Sequence, residues 1–427
     1  MLAASLAGTA IEFYDFFIYG TAASLVFGKL FFASLAPSAQ LFAAYASFGV
    51  AFLARPIGAI AFGHFGDRIG RKSTLIATLM LMGISTVAIG LMPTYGDIGW
   101  PATVLLCLAR FGQGLGLGGE WGGAALLAIE NAPSSLRGRF GMFPQLGAPV
   151  GFLVANGFFL LLGVLLTGAE FAAWGWRIPF LASGVLIGLG LWVRMRLTET
   201  PAFAAAQAAG PPPRIPAAAL LRHFSRETFA GTLAVVAAFA IFYLTTTFTL
   251  GYATTALGYD RRAFLAVLLA AIPFLAAGII CAGRWSDRTD PRRVLIVGCA
   301  MGVATGFLLA PLLESQSIAA IWLFLSLALF VMGLLYGPLS VWMPALFAPR
   351  VRYTGVSVAF TLGGILGGGI APLLAEWLAS RGGLTWVGLY FSAAALTSLL
   401  GLTTLGRPRS SRHGPEDAEV LSAGGNQ

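Results

Sequence analysis

The sequence predicts an all-α integral membrane protein of twelve transmembrane helices in two six-helix bundles. Three observations predict it. The 427 residues are 58% hydrophobic and 10% charged, with a mean hydropathy of +0.84, whereas a soluble domain carries about 25% charged residues. Crossing a hydrocarbon layer roughly 30 Å thick takes about 20 mostly apolar residues in a helix, and the chain contains twelve such stretches in succession. The basic residues, finally, alternate by side. Of 26 Lys and Arg, 19 fall in the even-numbered connections and the C-terminal segment, against Lys29, Arg177, Arg261, Arg262 and Arg381 on the opposite side and Arg55 and Arg110 within spans. This is the positive-inside pattern, and it places both termini in the cytoplasm.

The stretches lie near 3–29, 40–65, 73–92, 102–130, 140–166, 176–196, 228–256, 263–283, 294–313, 318–347, 355–379 and 384–405. The first is too long for a signal sequence and carries Glu12 and Asp15, so it is a retained span. The second contains FLARPIGA, in which Arg55 precedes Pro56. The fourth holds RFGQGLGLGGEWGG, whose Gly114, Gly116 and Gly119 fit the GxGxxG pattern of a dinucleotide loop. That loop needs a preceding strand and a βαβ unit, and here the glycines lie inside an apolar stretch, where small residues let helices approach closely. After the sixth span comes the most polar interior segment, 197–227, whose triple proline cannot continue a helix and reads as a cytoplasmic linker. The expected organisation is therefore a bundle over 1–196, the linker over 197–227, a second bundle over 228–405 and a disordered tail over 406–427.

The halves repeat. Gly63, Asp67 and Arg68 after span 2 recur as Gly283, Asp287 and Arg288 after span 8, and APSSLRG after span 4 has a weaker echo in APRVRYTG after span 10. Two similar bundles around a midplane site is the architecture of alternating-access transporters. The net charge of +9 is accounted for by topology, and no nucleic-acid partner is expected. Cys107, Cys281 and Cys299 are widely spaced and the three histidines lie at or near loops, so neither a metal site nor a cofactor is expected.

An ionisable residue at the bilayer centre costs about 2.5–3.5 kcal/mol even on lenient scales, which makes each a functional candidate. In the N-terminal half they are Glu12, Asp15, Arg55, Arg110, Glu120 and, near the cytoplasmic end of span 4, Glu130; the C-terminal half offers only Glu376, near an outer end. At about 100° per residue, Glu12, Asp15 and Tyr19 form one stripe, and Arg110, Gln113 and Glu120 form another, with Glu130 facing away. Gln145 and Asn156 are nearly in line on span 5. Three polar faces in one bundle suit a hydrated cavity, and Tyr243 on span 7 with Tyr336 and Trp342 on span 10 are candidates to line it from the other half. Burial favours a protonated acid and a nearby guanidinium favours the carboxylate, so moving Arg110 relative to Asp15, Glu12 or Glu120 is a means of proton coupling. Arg110 also matches a carboxylate geometrically. A buried Arg110–Glu120 or Arg110–Asp15 pair that only joins helices is the structural alternative.

GHFGDRIGRK, Gly63 to Lys72, resembles the loop signature of the major facilitator superfamily, and RFGQG its span-4 motif. IEFYDF, FLARPIGA, LGLGGEWGGA, WGWRIPF, TETPAF and VRYTG resemble the metabolite:proton symporter branch, with its shikimate, α-ketoglutarate and proline/betaine porters. The resemblance runs over residues 3–405. It implies the major facilitator fold, proton-coupled uptake of a small organic acid or related metabolite across a bacterial inner membrane, a functional monomer, and no cofactor beyond the proton. It also implies a gating set of Gly63, Asp67, Arg68, Gly70, Arg71, Lys72, Arg137, Asp287, Arg288 and Arg352, with Asp67 latching against the start of span 11, where a helix N-terminus offers positive dipole. The second copy lacks the glycine equivalent to Gly70, and relatives carry a leader before span 1, so a longer native N-terminus is expected. The same fold can run as an efflux antiporter. An enzyme would need a nucleophile, metal or nucleotide site, and a sensor a soluble output domain.

Overall fold

The computed structural model describes residues 2–196, 201–208 and 216–404. The passes are α1 (Ser5–Phe31), α2 (Phe42–Arg68), α3 (Arg71–Leu91), α4 (Trp100–Glu130), α5 (Ser134–Leu165), α6 (Arg177–Met195), α7 (Ser225–Thr255), α8 (Arg262–Arg288), α9 (Pro291–Gly306, resumed as Leu309–Glu314), α10 (Ile318–Leu346), and α11 and α12 within Arg352–Thr404. The last stretch reads as one helix, but Gly383 sits at φ 69°, a left-handed conformation that glycine adopts without penalty, and divides it in two. Helices are the natural outcome in lipid, where every backbone N–H and C=O must find a partner within the segment. Pro56, Pro144, Pro273 and Pro338 are accommodated inside α2, α5, α8 and α10.

The glycine-rich run of α4 is a packing face. A Cβ on Gly114 would meet the backbone of Ala51, and one on Gly118 the backbone of Arg55, so α4 lies directly on α2. The second half repeats this contact. Gly278 on α8 meets the backbone of Phe330, and Gly333 on α10 that of Leu275. Local irregularities repeat as well: α1 has a π-helical turn at Ala23–Phe27 and α7 one at Leu244–Phe248.

Packing divides the chain into two units. The first comprises residues 1–62, 72–124 and 143–198, and the second 63–71, 125–142 and 199–427. This differs from a division at the linker, because the loop-end segments 63–71 and 125–142 of the first sequence half pack with the second. The tail 406–427, and residues 197–200 and 209–215 of the linker, lie outside the described residues. Within the linker, Pro201–Ala208 and Pro216–His223 are short helices. The signature Gly63–Lys72 is mostly helix: α2 continues through Arg68, and Gly70 at φ 109° makes the reversal into α3.

Candidate functional site

Asp15, fully buried on α1, accepts hydrogen bonds from Ser183 Oγ of α6 and from Thr86 Oγ1 of α3, the latter at 3.1 Å. Thr86 Oγ1 has a second acceptor in the Met82 carbonyl at 2.9 Å, and itself accepts from Gln113 Nε2 of α4 at 2.7 Å. Gln113 Oε1 in turn accepts from Arg110 Nη1 at 2.9 Å. Three helices, α1, α3 and α4, thus supply one continuous chain, Asp15–Thr86–Gln113–Arg110. The Arg110 guanidinium is fully buried among aromatic rings, its carbon 4.1 Å from the centroid of Tyr19, 4.6 Å from Phe48 and 4.9 Å from Phe16. Cation–π contacts of this kind reach about 2 kcal/mol when desolvated, which helps to hold a charge in the membrane. Tyr19 is fixed by a 2.7 Å hydrogen bond between its hydroxyl and Ser47 Oγ.

Glu120 shares the Arg110 stripe but lies ten residues further along α4, roughly 15 Å at the helical rise. Its partner is Arg194 of α6, and it also accepts from Thr78 Oγ1. Arg194 donates in addition to the Leu75 carbonyl. Arg194, one of the 19 basic residues counted with the even-numbered connections, is only 3% exposed. The guanidinium packs closely on α1 at Gly8, where a Cβ would stand 2.9 Å from Arg194 Nη2. Glu12, one turn along α1 from Gly8, is buried, and its Oε2 has no hydrogen-bond partner among the described residues. Arg55 stacks on Phe52 and Phe16 at 4.4 and 4.7 Å.

The other predicted cavity residues are placed separately. Gln145 accepts from Trp121 Nε1 at 2.8 Å, beside the break in α5 at Leu146. Asn156 accepts from Thr21 Oγ1 at 2.9 Å and donates to the Phe152 carbonyl. In the second unit Tyr243, Tyr336 and Trp342 are buried, with Tyr243 against Phe242 and Tyr336 against Phe360.

The gating candidates form two helix caps in the second unit. Asp67, at the end of α2, accepts from Tyr353 N at 3.1 Å, Thr354 N at 3.0 Å and Thr354 Oγ1 at 2.8 Å, all in the first turn of α11. Arg71 lies 3.6 Å from Asp67 and 3.7 Å from Glu130, and donates to the Gly66 carbonyl. Arg352 reaches Glu130 at 3.3 Å. Gly63 lets α2 lie against the Thr354 backbone. In the second copy Asp287, at the end of α8, accepts from Gly138 N at 2.6 Å and from Arg139 N at 3.3 Å, in the first turn of the helix Arg137–Gln145 of α5. Arg139 Nε approaches Asp287 at 3.2 Å. Where Gly70 turns the first copy, Asp290 caps α9 in the second by accepting from Arg292 N at 2.9 Å. Arg68, Arg137 and Arg288 are exposed, and Lys72 donates to the Met195 carbonyl at 2.8 Å.

The Sugar (and other) transporter family matches residues 1–209. The inner membrane metabolite transport protein YhjE of Escherichia coli (strain K12) is 47% identical over 94% of this chain and 92% of its own length. The shikimate transporter of the same organism is 38% identical over 93% of this chain and 92% of its own, and its proline/betaine transporter 32% identical over 94% and 82%. This chain belongs to the major facilitator superfamily. The proton:xylose symporter XylE, in a structure with 6-bromo-6-deoxy-D-glucose, superposes with a TM-score of 0.75, covering 98% of each chain at 16% identity, which speaks for the fold. The chain is accordingly a membrane transporter of a small molecule, in the branch of the shikimate and proline/betaine transporters, and not an enzyme.

Sequence reasoning missed several of this transporter's site residues. Ser183 and Arg194 lie on the buried stripe Ser183, Ile187, Gly190 and Arg194 of α6, a helical period visible in the sequence. Thr78 and Thr86 are buried on α3 with Thr74, hydroxyls recurring at four and eight residues. Glu130, facing away from the Arg110 stripe, is the carboxylate shared by Arg71 and Arg352.

Proposed function

We propose that the protein is a proton-coupled symporter that brings a small organic acid, or a related carboxylate-bearing metabolite, into the cytoplasm across a bacterial inner membrane, acting as a monomer with both termini cytoplasmic. The observation that carries this reading is the hydrogen-bonded chain from Asp15 to Arg110. As a carboxylate, Asp15 can only accept. Once protonated at Oδ2 it donates to Thr86 Oγ1, and the Thr86 hydrogen turns to the Met82 carbonyl, an acceptor already within 2.9 Å. One hydrogen bond reverses without leaving a group unpaired. At the other end, a substrate carboxylate competes with Gln113 Oε1 for Arg110 Nη1. Its arrival releases Gln113, which loosens the Gln113–Thr86 bond and alters the company of Asp15. Proton and substrate are in this way felt by each other through two neutral side chains.

The two caps supply the gate. An aspartate on N-terminal backbone N–H groups is stabilised by unsatisfied donors and by the helix dipole. With both caps made, the loop ends of α2 and α11, and of α8 and α5, are held together; opening toward the cytoplasm needs both to break. The reading calls on no cofactor.

The test is reconstitution in vesicles enclosing a pH-sensitive dye, with a panel of shikimate-like acids, keto acids, dicarboxylates and betaines. The expected result is substrate-dependent proton entry together with the solute, and an Asp15→Asn variant that still exchanges solute but no longer accumulates it. Proton movement opposite to solute, or accumulation indifferent to a pH gradient, overturns the reading.

A further inference from the structure

An open groove of about 610 Å³ runs along one face of α8, lined by Ala277, Ile280, Cys281, Arg284, Trp285 and Arg288. Its residues recur at helical spacing and change character along the axis. Ala277, Ile280 and Cys281 give an apolar floor, and Arg284, Trp285 and Arg288 close the end near the connection to α9. The Trp285 ring is a fixed wall, packed on the buried cluster of Ala282, Val294 and Leu334. Arg284 and Arg288 are exposed and form no hydrogen bond or ion pair with any described residue. Other basic groups at the same ends are engaged: Arg71 and Arg352 with Glu130, Arg139 with Asp287, and Arg292 with the Leu402 carbonyl. Asp287, on the same helix between the two arginines, is turned to Gly138 N and does not neutralise them.

The geometry points to a site for an anionic phospholipid on α8, its phosphate held by Arg284 and Arg288 beside Trp285 and its acyl chain laid over Ala277, Ile280 and Cys281. The chemistry selects this occupant. An apolar stripe ending in tryptophan and two free guanidiniums matches a molecule with a chain at one end and a phosphate at the other. A soluble anion would not use the floor, and a zwitterionic lipid would leave charge uncompensated. The lipid would sit three residues before and one after Asp287, and so would steady the helix end that makes the second cap.

The experiment is native mass spectrometry of the purified full-length chain titrated with phosphatidylglycerol, with phosphatidylcholine as reference. Because it reads lipid retention, its outcome is independent of whether the transporter couples to protons. At about 1 kcal/mol per basic residue near the headgroup, Arg284→Gln with Arg288→Gln is expected to weaken retention roughly 30-fold. Arg222→Gln with Arg293→Gln removes the same charge from exposed positions elsewhere and is expected to leave retention unchanged. Ala277→Trp fills the floor with both arginines intact and is expected to weaken it as well. Equal loss in the two double variants, unchanged retention in Ala277→Trp, or equal retention of phosphatidylcholine by the unaltered protein overturns the assignment.

Discussion

Two buried carboxylates in the first unit, Asp15 and Glu120, keep opposite company. Asp15 is met by the hydroxyls of Ser183 and Thr86; Glu120 is met by the Arg194 guanidinium and the Thr78 hydroxyl. A carboxylate held by neutral hydroxyls can gain or lose a proton with only a hydroxyl rotating. One matched to a buried arginine cannot be neutralised without stranding that arginine. Position in oil thus marks a residue as unusual, and its partners decide whether its charge is fixed or variable. Glu120 is a structural tie on this view, and Asp15 is the site of exchange.

The sharpest way to break this contrast is to strand the charge. Arg194→Leu leaves Glu120 buried without its cation, and removing one member of a buried pair costs about 3–5 kcal/mol. Loss of folded protein is expected in thermal unfolding of the detergent-purified variant, with substantial recovery when Glu120→Leu is added. A stable single variant would place Glu120 with the exchangeable groups. Asp15→Asn is the counterpart. Its amide can still pair with Ser183 and Thr86, so the thermal midpoint is expected to move by what about 1 kcal/mol produces, near the scale of one hydrogen bond, while uphill accumulation disappears. Thr86→Val tests the link between Asp15 and Arg110. It keeps the volume and removes the hydroxyl, stranding the Gln113 donor at about 1–3 kcal/mol. Coupled uptake is expected to fall roughly tenfold on that energy scale, with Thr86→Ser restoring it. Equal activity in Val and Ser variants would show that the chain carries nothing.

The membrane fold was legible because oil imposes a composition that water does not, and the pairing of halves was legible at Asp67 and Asp287 because the Gly, Asp and Arg of the motif recur at the same spacing. Asp15, Tyr19, Arg110 and Gln113 announced themselves by polarity on apolar helices, and they do converge. Arg194 did not, because an arginine near the end of a span is the ordinary signature of a cytoplasmic loop. Only the period of the α6 stripe separates it from Arg196, which is exposed. Ser183 and Thr86 were hidden for another reason. Single hydroxyls are common in membrane helices, where they bond their own backbone, so nothing in the sequence says which of them turn to a carboxylate. Gln145 and Asn156, nearly in line on an ideal helix, lie roughly 16 Å apart along its axis, and each meets its own partner, Trp121 and Thr21.

The smallest effect separates the two caps, and salt is the lever. Both aspartates take backbone N–H groups, but Asp67 pairs with Arg71, whose side chain is 1% exposed, and Asp287 with Arg139, whose side chain is 47% exposed. Screening acts on exposed pairs far more than on buried ones, and an exposed pair is worth about 0–1 kcal/mol. Arg139→Gln is therefore expected to change the rate at which the α5 and α8 ends part only slightly in dilute buffer, followed by fluorescence of labels at those ends, and by less still in high salt. Asp67→Asn, which weakens three hydrogen bonds to α11 and an ion pair sealed from water, should act the same at both ionic strengths. If salt moves the Asp67 variant as much as the Arg139 variant, water reaches the first cap, and the asymmetry between the two copies of the motif lies in the Gly70 turn and not in burial.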